Sequence, residues 1–160
     1  MDTRGAFAPE TMAEAREQYV ETGPAAKVVV RETAKAMSFD ADEYADRVTG
    51  EVVETARDAI FASMLEVRVA DRPTFEEWLE TSETYDDSDV ELLGSEHVDR
   101  IVWHAAPFAG TVIAASFHEE EEAAIGTLRR NAFGRIYHDR LRSGGDAPAD
   151  VSADASTDER

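Results

Sequence analysis

Three histidines, His97, His104 and His118, fall in or beside one expected β-hairpin, and Glu119–Glu122 follow the last of them directly. Imidazoles beside carboxylates are the donor set of zinc sites and of general acid–base chemistry. A zinc shell draws three or four ligands on recognisable spacing, however, and the chain contains neither HExxH nor a paired His/Cys pattern. The two-residue period of a strand places Arg100 and His104 on one face, together with Val98 and Val102. His97, Arg100 and His104 are therefore candidates for an interaction surface. In a more remote reading they are the centre of a hydrolase or metal-dependent enzyme. Their ordinary role would be that of hydrogen-bonded sheet and edge histidines.

A second cluster is the arginine series Arg129, Arg130, Arg135, Arg140 and Arg142. Guanidinium groups grip phosphates and carboxylates through paired hydrogen bonds, so Arg129 and Arg130 join the candidate interaction surface. The plain reading is a helix whose Glu-rich start and Arg-rich end complement its own dipole. Nucleic acid is disfavoured as a partner. The Asp40, Asp42, Glu43 and Asp46 start of one helix and the Glu119–Glu122 start of another would both face phosphate with like charge. Phosphate contacts also lose roughly 10³–10⁵ in affinity between 50 and 200 mM salt when six to ten are made.

Other combinations fail on spacing. Asp86-Asp-Ser-Asp89 with Glu91 suggests calcium, but a loop opening at Asp87 has Leu92 where glycine is needed and Val98 where an acid is needed. Ser95-Glu-His97 holds the residue types of a catalytic triad without a nucleophile elbow. There is no cysteine, which removes disulfides, thiolate ligands and thiol nucleophiles together. No residue is assigned as catalytic, cofactor-binding or metal-binding, and no cofactor is expected. The balance leans away from an enzyme.

The solvent chemistry is more specific. A formal net charge of −19 on 160 residues comes with only two lysines, Lys27 and Lys35. Such a surface repels itself in dilute buffer and hardly does so in molar salt, where the Debye length is ~3 Å. The expectation is a halophilic protein. Met1–Pro9 has no basic patch and no apolar core of a signal peptide, and no apolar run approaches the ~20 residues of a membrane span. A cytoplasmic location is expected, with no membrane contact.

These side chains must be positioned by elements that the periodicity predicts. The length suits a single domain over residues 9–142, with a loose N-terminus at 1–8 and a disordered acidic tail at 143–160. A first helix is expected over Pro9–Glu21. A second starts at Pro24, with Ala26, Val29, Val30, Thr33, Ala34 and Met37 inward. A third is capped by Asp40 and Glu43, stapled by Phe39 on Tyr44, and runs to Met64 with a kink near Gly50. Val48, Val52, Ala56, Ala59, Ile60 and Ser63 would form its inner face. A strand at Glu66–Val69 precedes a short helix carrying Phe75, Trp78 and Leu79. Strands then follow near Val90–Leu93, Val98–Ala105 and Thr111–Phe117, the last two joined as a hairpin. A final helix spans Glu119–Arg142 with Ile125, Leu128, Ala132, Ile136 and Leu141 inward, covered by Trp103 and Phe117 of the strands. The fold class is α+β: N-terminal helices plus a small, largely antiparallel sheet covered by a long C-terminal helix.

The stretches GPAAKVVVRETAKAM, EVVETARDAIFASMLEVRV, GSEHVDRIVWHAAP and GTLRRNAFGRIY resemble a family of short, acidic haloarchaeal proteins classed as a domain of unknown function. The resemblance covers about residues 5–142 and implies a halophilic origin without implying an activity. The element order over 73–142 also resembles the double-stranded-RNA-binding domain, but Glu119–Glu122 stands where that fold needs basic residues. The leading expectation is a non-catalytic cytosolic module acting through a protein or small-ligand contact, a homodimer being one form of it. The alternative is a nucleic-acid-associated factor using the Arg-rich helix face.

Overall fold

A five-stranded sheet divides the molecule. Its strands are β1 (Asp2–Arg4), β2 (Val67–Asp71), β3 (Val90–Leu93), β4 (Arg100–Ala106) and β5 (Thr111–Phe117), in the order β1-β2-β4-β5-β3. All neighbours are antiparallel except β3, which runs parallel to β5. The computed structural model describes residues 1–144, so residues 145–160 of the expected acidic tail lie outside the described residues. The helices are α1 (Met12–Glu21), α2 (Gly23–Ala36), α3 (Ala41–Arg47), α4 (Gly50–Ser63), α5 (Arg72–Thr81), α6 (Glu121–Ala132) and α7 (His138–Gly144). The fold is α+β, with a largely antiparallel sheet as expected. The β4–β5 hairpin closes through a 3-10 turn at Pro107–Ala109, and Gly110 supplies the left-handed residue that ends it, at φ 58°.

Both faces of the sheet are covered. On one, Val67, Val69, Val102, Ile113 and Phe117 meet Phe61, Leu65, Ile125, Leu128, Ile136 and Tyr137 from the α4 and C-terminal helical segments. On the other, Ala70, Ile101, Trp103, Val112 and Ala114 meet Phe75, Leu79 and Tyr85 from α5 and the loop after it. Trp103 therefore packs against α5 and not against the C-terminal helix, which corrects one expected contact. The cause is that β4 is apolar on both faces, so alternation cannot say which helix each side chain meets.

The C-terminal helix is interrupted at Phe133–Tyr137 by a π-helical turn. That turn inserts one residue into the helical register, so adjacent Ile136 and Tyr137 are both buried, at 3% and 0% exposure. At the other end, α3 and α4 are separate helices. Arg47 ends α3, and Thr49 caps α4 by accepting from Val52 N at 3.3 Å. Gly50 is thus the first residue of a helix, not a mid-helix kink. The buried residues of α4 are Phe61 and Ala62, while Val52 is exposed, so its inner face is displaced from the expected one. The Asp40–Glu43 capping box is present as expected.

The N-terminus is not loosely held. β1 pairs with β2, Phe7 is buried, and Phe7 O accepts from Glu66 N at 2.7 Å. Arg4 hydrogen-bonds Glu121 and Glu122 on α6. Gly5 lies at φ 105°, and a Cβ there would stand 2.5 Å from Leu65 O. Only glycine allows the chain to pass this close to the end of α4. No helix among the described residues is long and apolar enough to cross a membrane.

Candidate functional site: an aromatic cleft beside the sheet

The α5 face of the sheet holds the cleft. The β2–β4 register sets Arg68 opposite Trp103, so these long side chains are neighbours on one face. Asp71 caps α5 by accepting from Thr74 N at 3.0 Å, and Phe75, Trp78 and Leu79 then recur at helical spacing toward the sheet. The chain leaves α5 at Ser82, whose Oγ accepts from Thr84 N and Tyr85 N, both at 3.1 Å. That turn returns Tyr85 beneath Trp78.

The rings form one group. Trp78 lies 5.4 Å from Trp103 and 5.9 Å from Tyr85, and Phe75 meets Trp103 edge-on at 4.8 Å between centroids. The Arg68 guanidinium stands over the Trp78 ring at 5.6 Å, with Glu66 Oε1 at 3.9 Å from it. Beside them opens a cavity of about 240 Å³ whose lining includes Glu10, Glu66, Arg68, Trp78, Tyr85 and Trp103. Trp78 and Trp103 are the two tryptophans of the chain.

Trp103 and Tyr85 both line this cavity, and their buried polar atoms, Trp103 Nε1 and Tyr85 Oη, have no hydrogen-bond partner among the described residues. Trp103 is 1% exposed and Tyr85 8%. Buried polar groups are partnered in the great majority of cases, and an orphan costs about 1–3 kcal/mol. Burial raises the Tyr85 pKa, with the charge of Arg68 opposing and that of Asp89 adding to the shift. The phenol is therefore a protonated donor at neutral pH.

The residues singled out from the sequence do not converge. His104, from the opposite face of β4, also lines the cavity, but it is only 2% exposed and both its ring nitrogens are engaged. Its Nδ1–H donates to Glu66 O at 2.6 Å, which leaves Nε2 to accept from the Tyr137 hydroxyl at 2.7 Å. Burial lowers its pKa to about 4, against the opposing hydrogen bond to Glu66 O, and the positive charge of Arg129 lowers it further. Arg100 sits four residues away along β4, about 13 Å of strand. It pairs with Glu121 at 3.4 Å and lies over Phe117. His97 is exposed in the preceding turn, where its backbone N–H bonds Ser95 Oγ.

The arginine series is largely engaged. Arg129 donates from Nε to Leu65 O at 2.9 Å, Arg135 pairs with Glu91 at 2.8 Å, and Arg142 pairs with Asp58 at 2.6 Å. Arg130 is exposed and reaches only Thr127 Oγ1 on its own helix. The Asp86–Asp89 run closes on itself: Asp86 accepts from Ser88 N, and Asp89 accepts from Asp86 N. No group of three or more His, Asp or Glu among the described residues is placed to hold a metal ion.

Arg68, Tyr85 and the pairing of Trp78 with Trp103 are what sequence reasoning missed. The available signal was that both tryptophans lie within one short stretch, on a helix and a strand that had to pack on each other. No curated protein and no solved structure matches the chain. A model of the family of unknown function DUF5809 matches residues 6–138, and the chain belongs to that family.

Proposed function

We propose that the protein is a non-catalytic cytosolic module of a salt-rich cytoplasm that binds a small molecule in the aromatic cleft. The observation that supports this is a cavity of about 240 Å³ lined by the Trp78, Tyr85 and Trp103 rings together with the charged side chains of Arg68 and Glu66. Apolar walls with a few convergent polar groups are the composition of a small-molecule site. The His97, Arg100 and His104 set lacks the mutual reach that general acid–base work needs. The nucleic-acid alternative loses its motive, because Arg129, Arg135 and Arg142 are held by Leu65 O, Glu91 and Asp58.

Screening small molecules against the full chain at about 2 M KCl tests this reading, with salt chosen to screen its charge. Compounds that raise the unfolding midpoint are expected to change tryptophan emission as well, and Trp103→Phe is expected to weaken them. Stabilising compounds that leave emission unchanged would place the site elsewhere.

A second reading concerns a protein partner. Six of the seven exposed large apolar side chains among the described residues fall between Val20 and Val52: Val20, Val28, Val29, Tyr44 and Val52 on α1–α4, and Met37 just after α2. A second copy of the chain is the partner that this surface suggests. Light scattering in the same salt decides it, a single-chain mass ruling the dimer out.

A further inference from the structure

α2 has apolar residues on two faces, and only one of them is packed. The helix lies chiefly on α4 and buries Ala26, Val30 and Ala34, a narrow stripe that belongs to the core on neither face of the sheet. Two residues after each of these, about 200° round the helix, stand Val28, Glu32 and Ala36, which therefore face away from α4. Val28 and Val29 are 45% and 49% exposed. Val28–Val30 are consecutive β-branched residues, which a helix holds best where packing supports them. α3 continues the same surface: it buries no residue, and Met37 before it and Tyr44 on it are exposed. The turn between the two helices is fixed. Ser38, at φ 60°, donates from its N–H to Lys35 O, Phe39 N–H donates to Ala34 O, and the Arg47 guanidinium lies over the Phe39 ring at 5.5 Å.

Charge decides what can cover this surface. α2 carries both lysines of the chain and Arg31 against a single acid, Glu32, a cationic surplus that no other helix matches. α3 and its cap carry Asp40, Asp42, Glu43 and Asp46 against Arg47 alone. A nucleic acid or an acidic protein drawn to α2 would meet those carboxylates beside it. A second copy of the chain offers both signs. Resting on the second-copy reading above, we propose that the chain forms a two-fold dimer in which α2 of each copy lies on α3 of the other. Every contact across a two-fold axis occurs twice, so one match of α2 with α3 entails its mirror. The cations of α2 then meet the acids of α3 on both sides of the axis, and Val28, Val29, Met37 and Tyr44 leave water between them. Most other pairings would set a chain of charge −19 against its own acids. Charges enclosed by the contact are screened less by molar salt than exposed ones, so the match persists there.

Two charge-reversed chains test the pairing by light scattering of the full chain at about 2 M KCl. One carries Arg31→Glu with Lys35→Glu, which leaves both helices acidic. The other carries Asp42→Lys with Asp46→Lys, which leaves both cationic. All four positions are exposed. The native chain is expected to give the mass of two copies. Each variant alone is expected to associate about tenfold or more weakly, since like charges then face each other. An equimolar mixture of the two is expected to regain the two-copy mass, because each variant supplies the sign that the other lacks. Val28→Asp leaves those four charges untouched and is also expected to give single chains. A native chain that scatters as one copy overturns the dimer reading and this interface together, and leaves the face to another partner. Variants that each pair as well as the native chain, or a Val28→Asp protein that still dimerises, show that the copies meet elsewhere. The dimer reading then stands and the interface falls. Variants that are single chains both apart and mixed overturn the match of α2 with α3.

Discussion

His104 shows how a residue suited to chemistry is withdrawn from it. The imidazole is held between a backbone carbonyl and a phenol, and both its nitrogens are used. Charging it would strip an imidazolium of its hydration, since the side chain is only 2% exposed. Its pKa therefore falls from 6.5 to about 4, burial being the main cause. Because the folded value is depressed, stability is fully present above the unfolded value of 6.5. It is lost as the unfolded chain takes up a proton that the folded chain refuses, between pH 6.5 and about 4. The loss across that window is expected to be ~3 kcal/mol. Denaturant unfolding of the native chain and of His104→Gln, compared at each pH, isolates it from the carboxylates: the difference in stability should shrink on acidification. A constant difference would mean that the imidazole is charged in the fold. Little of this was legible beforehand. The sequence shows a histidine in a strand, but whether it meets solvent depends on Tyr137, which lies 33 positions away and reaches it through a π-turn. The cleft was equally hidden, since Arg68 and Trp103 become partners only once the β2–β4 register is set.

The elements were legible wherever the signal is local. The Asp40–Glu43 capping box, the three strands of the second half and the Pro107–Ala109 turn all depend on neighbours in sequence. What was not legible depends on distant packing. β1 is a strand only because β2 is there to pair with it, and the separation of α3 from α4 rests on Thr49 as a cap. The five-residue step from Ile136 to Leu141 was a trace of the π-turn, since a regular helix would repeat at three or four. The C-terminal helix lends itself to a graded test of its faces. Leu128 and Ile136 are 0% and 3% exposed in the core against the sheet. Truncating either to alanine is expected to cost ~2–5 kcal/mol. Arg129 was expected to face solvent, yet it is half-buried, donates to the last carbonyl before β2, and its pKa is lowered mainly by burial. Arg129→Ala should cost roughly 1–2 kcal/mol, by analogy with other hydrogen bonds from charged groups. Arg130→Ala should cost about 0.5 kcal/mol or less. Unfolding of the four variants in high salt checks the order. Equal costs for Arg129 and Arg130 would mean that the Leu65 contact contributes nothing.

Across the whole molecule the charge imbalance dominates. The chain carries 35 acidic residues against 16 Lys and Arg. Several ion pairs lie at the surface: Arg135–Glu91 has side chains 44% and 51% exposed, and Lys35–Glu32 67% and 57%. Pairs of this kind contribute about 0–1 kcal/mol each, too little to offset the surplus. Asp40–Asp46 and Glu119–Glu122 add concentrated negative charge at two helix starts, where the helix dipole tolerates it but adjacent carboxylates still repel. In dilute buffer this repulsion acts against the compact state. Raising ionic strength from 0.15 to 1 M shortens the Debye length from about 8 to 3 Å, less than the spacing of most surface carboxylates. The unfolding midpoint is therefore expected to rise steeply between roughly 0.1 and 2 M KCl. A non-ionic osmolyte such as sucrose separates screening from general exclusion effects, because it strengthens burial without shielding charge. Acid provides the second separation. Near pH 4 the carboxylates approach their ordinary pKa range of about 3.9–4.3, so part of the surplus charge is gone and the salt slope should flatten. A midpoint that is flat in KCl at neutral pH, or one that sucrose raises as much as KCl, would remove the halophilic reading. A salt slope unchanged at pH 4 would show that salt acts on the core instead of the surface.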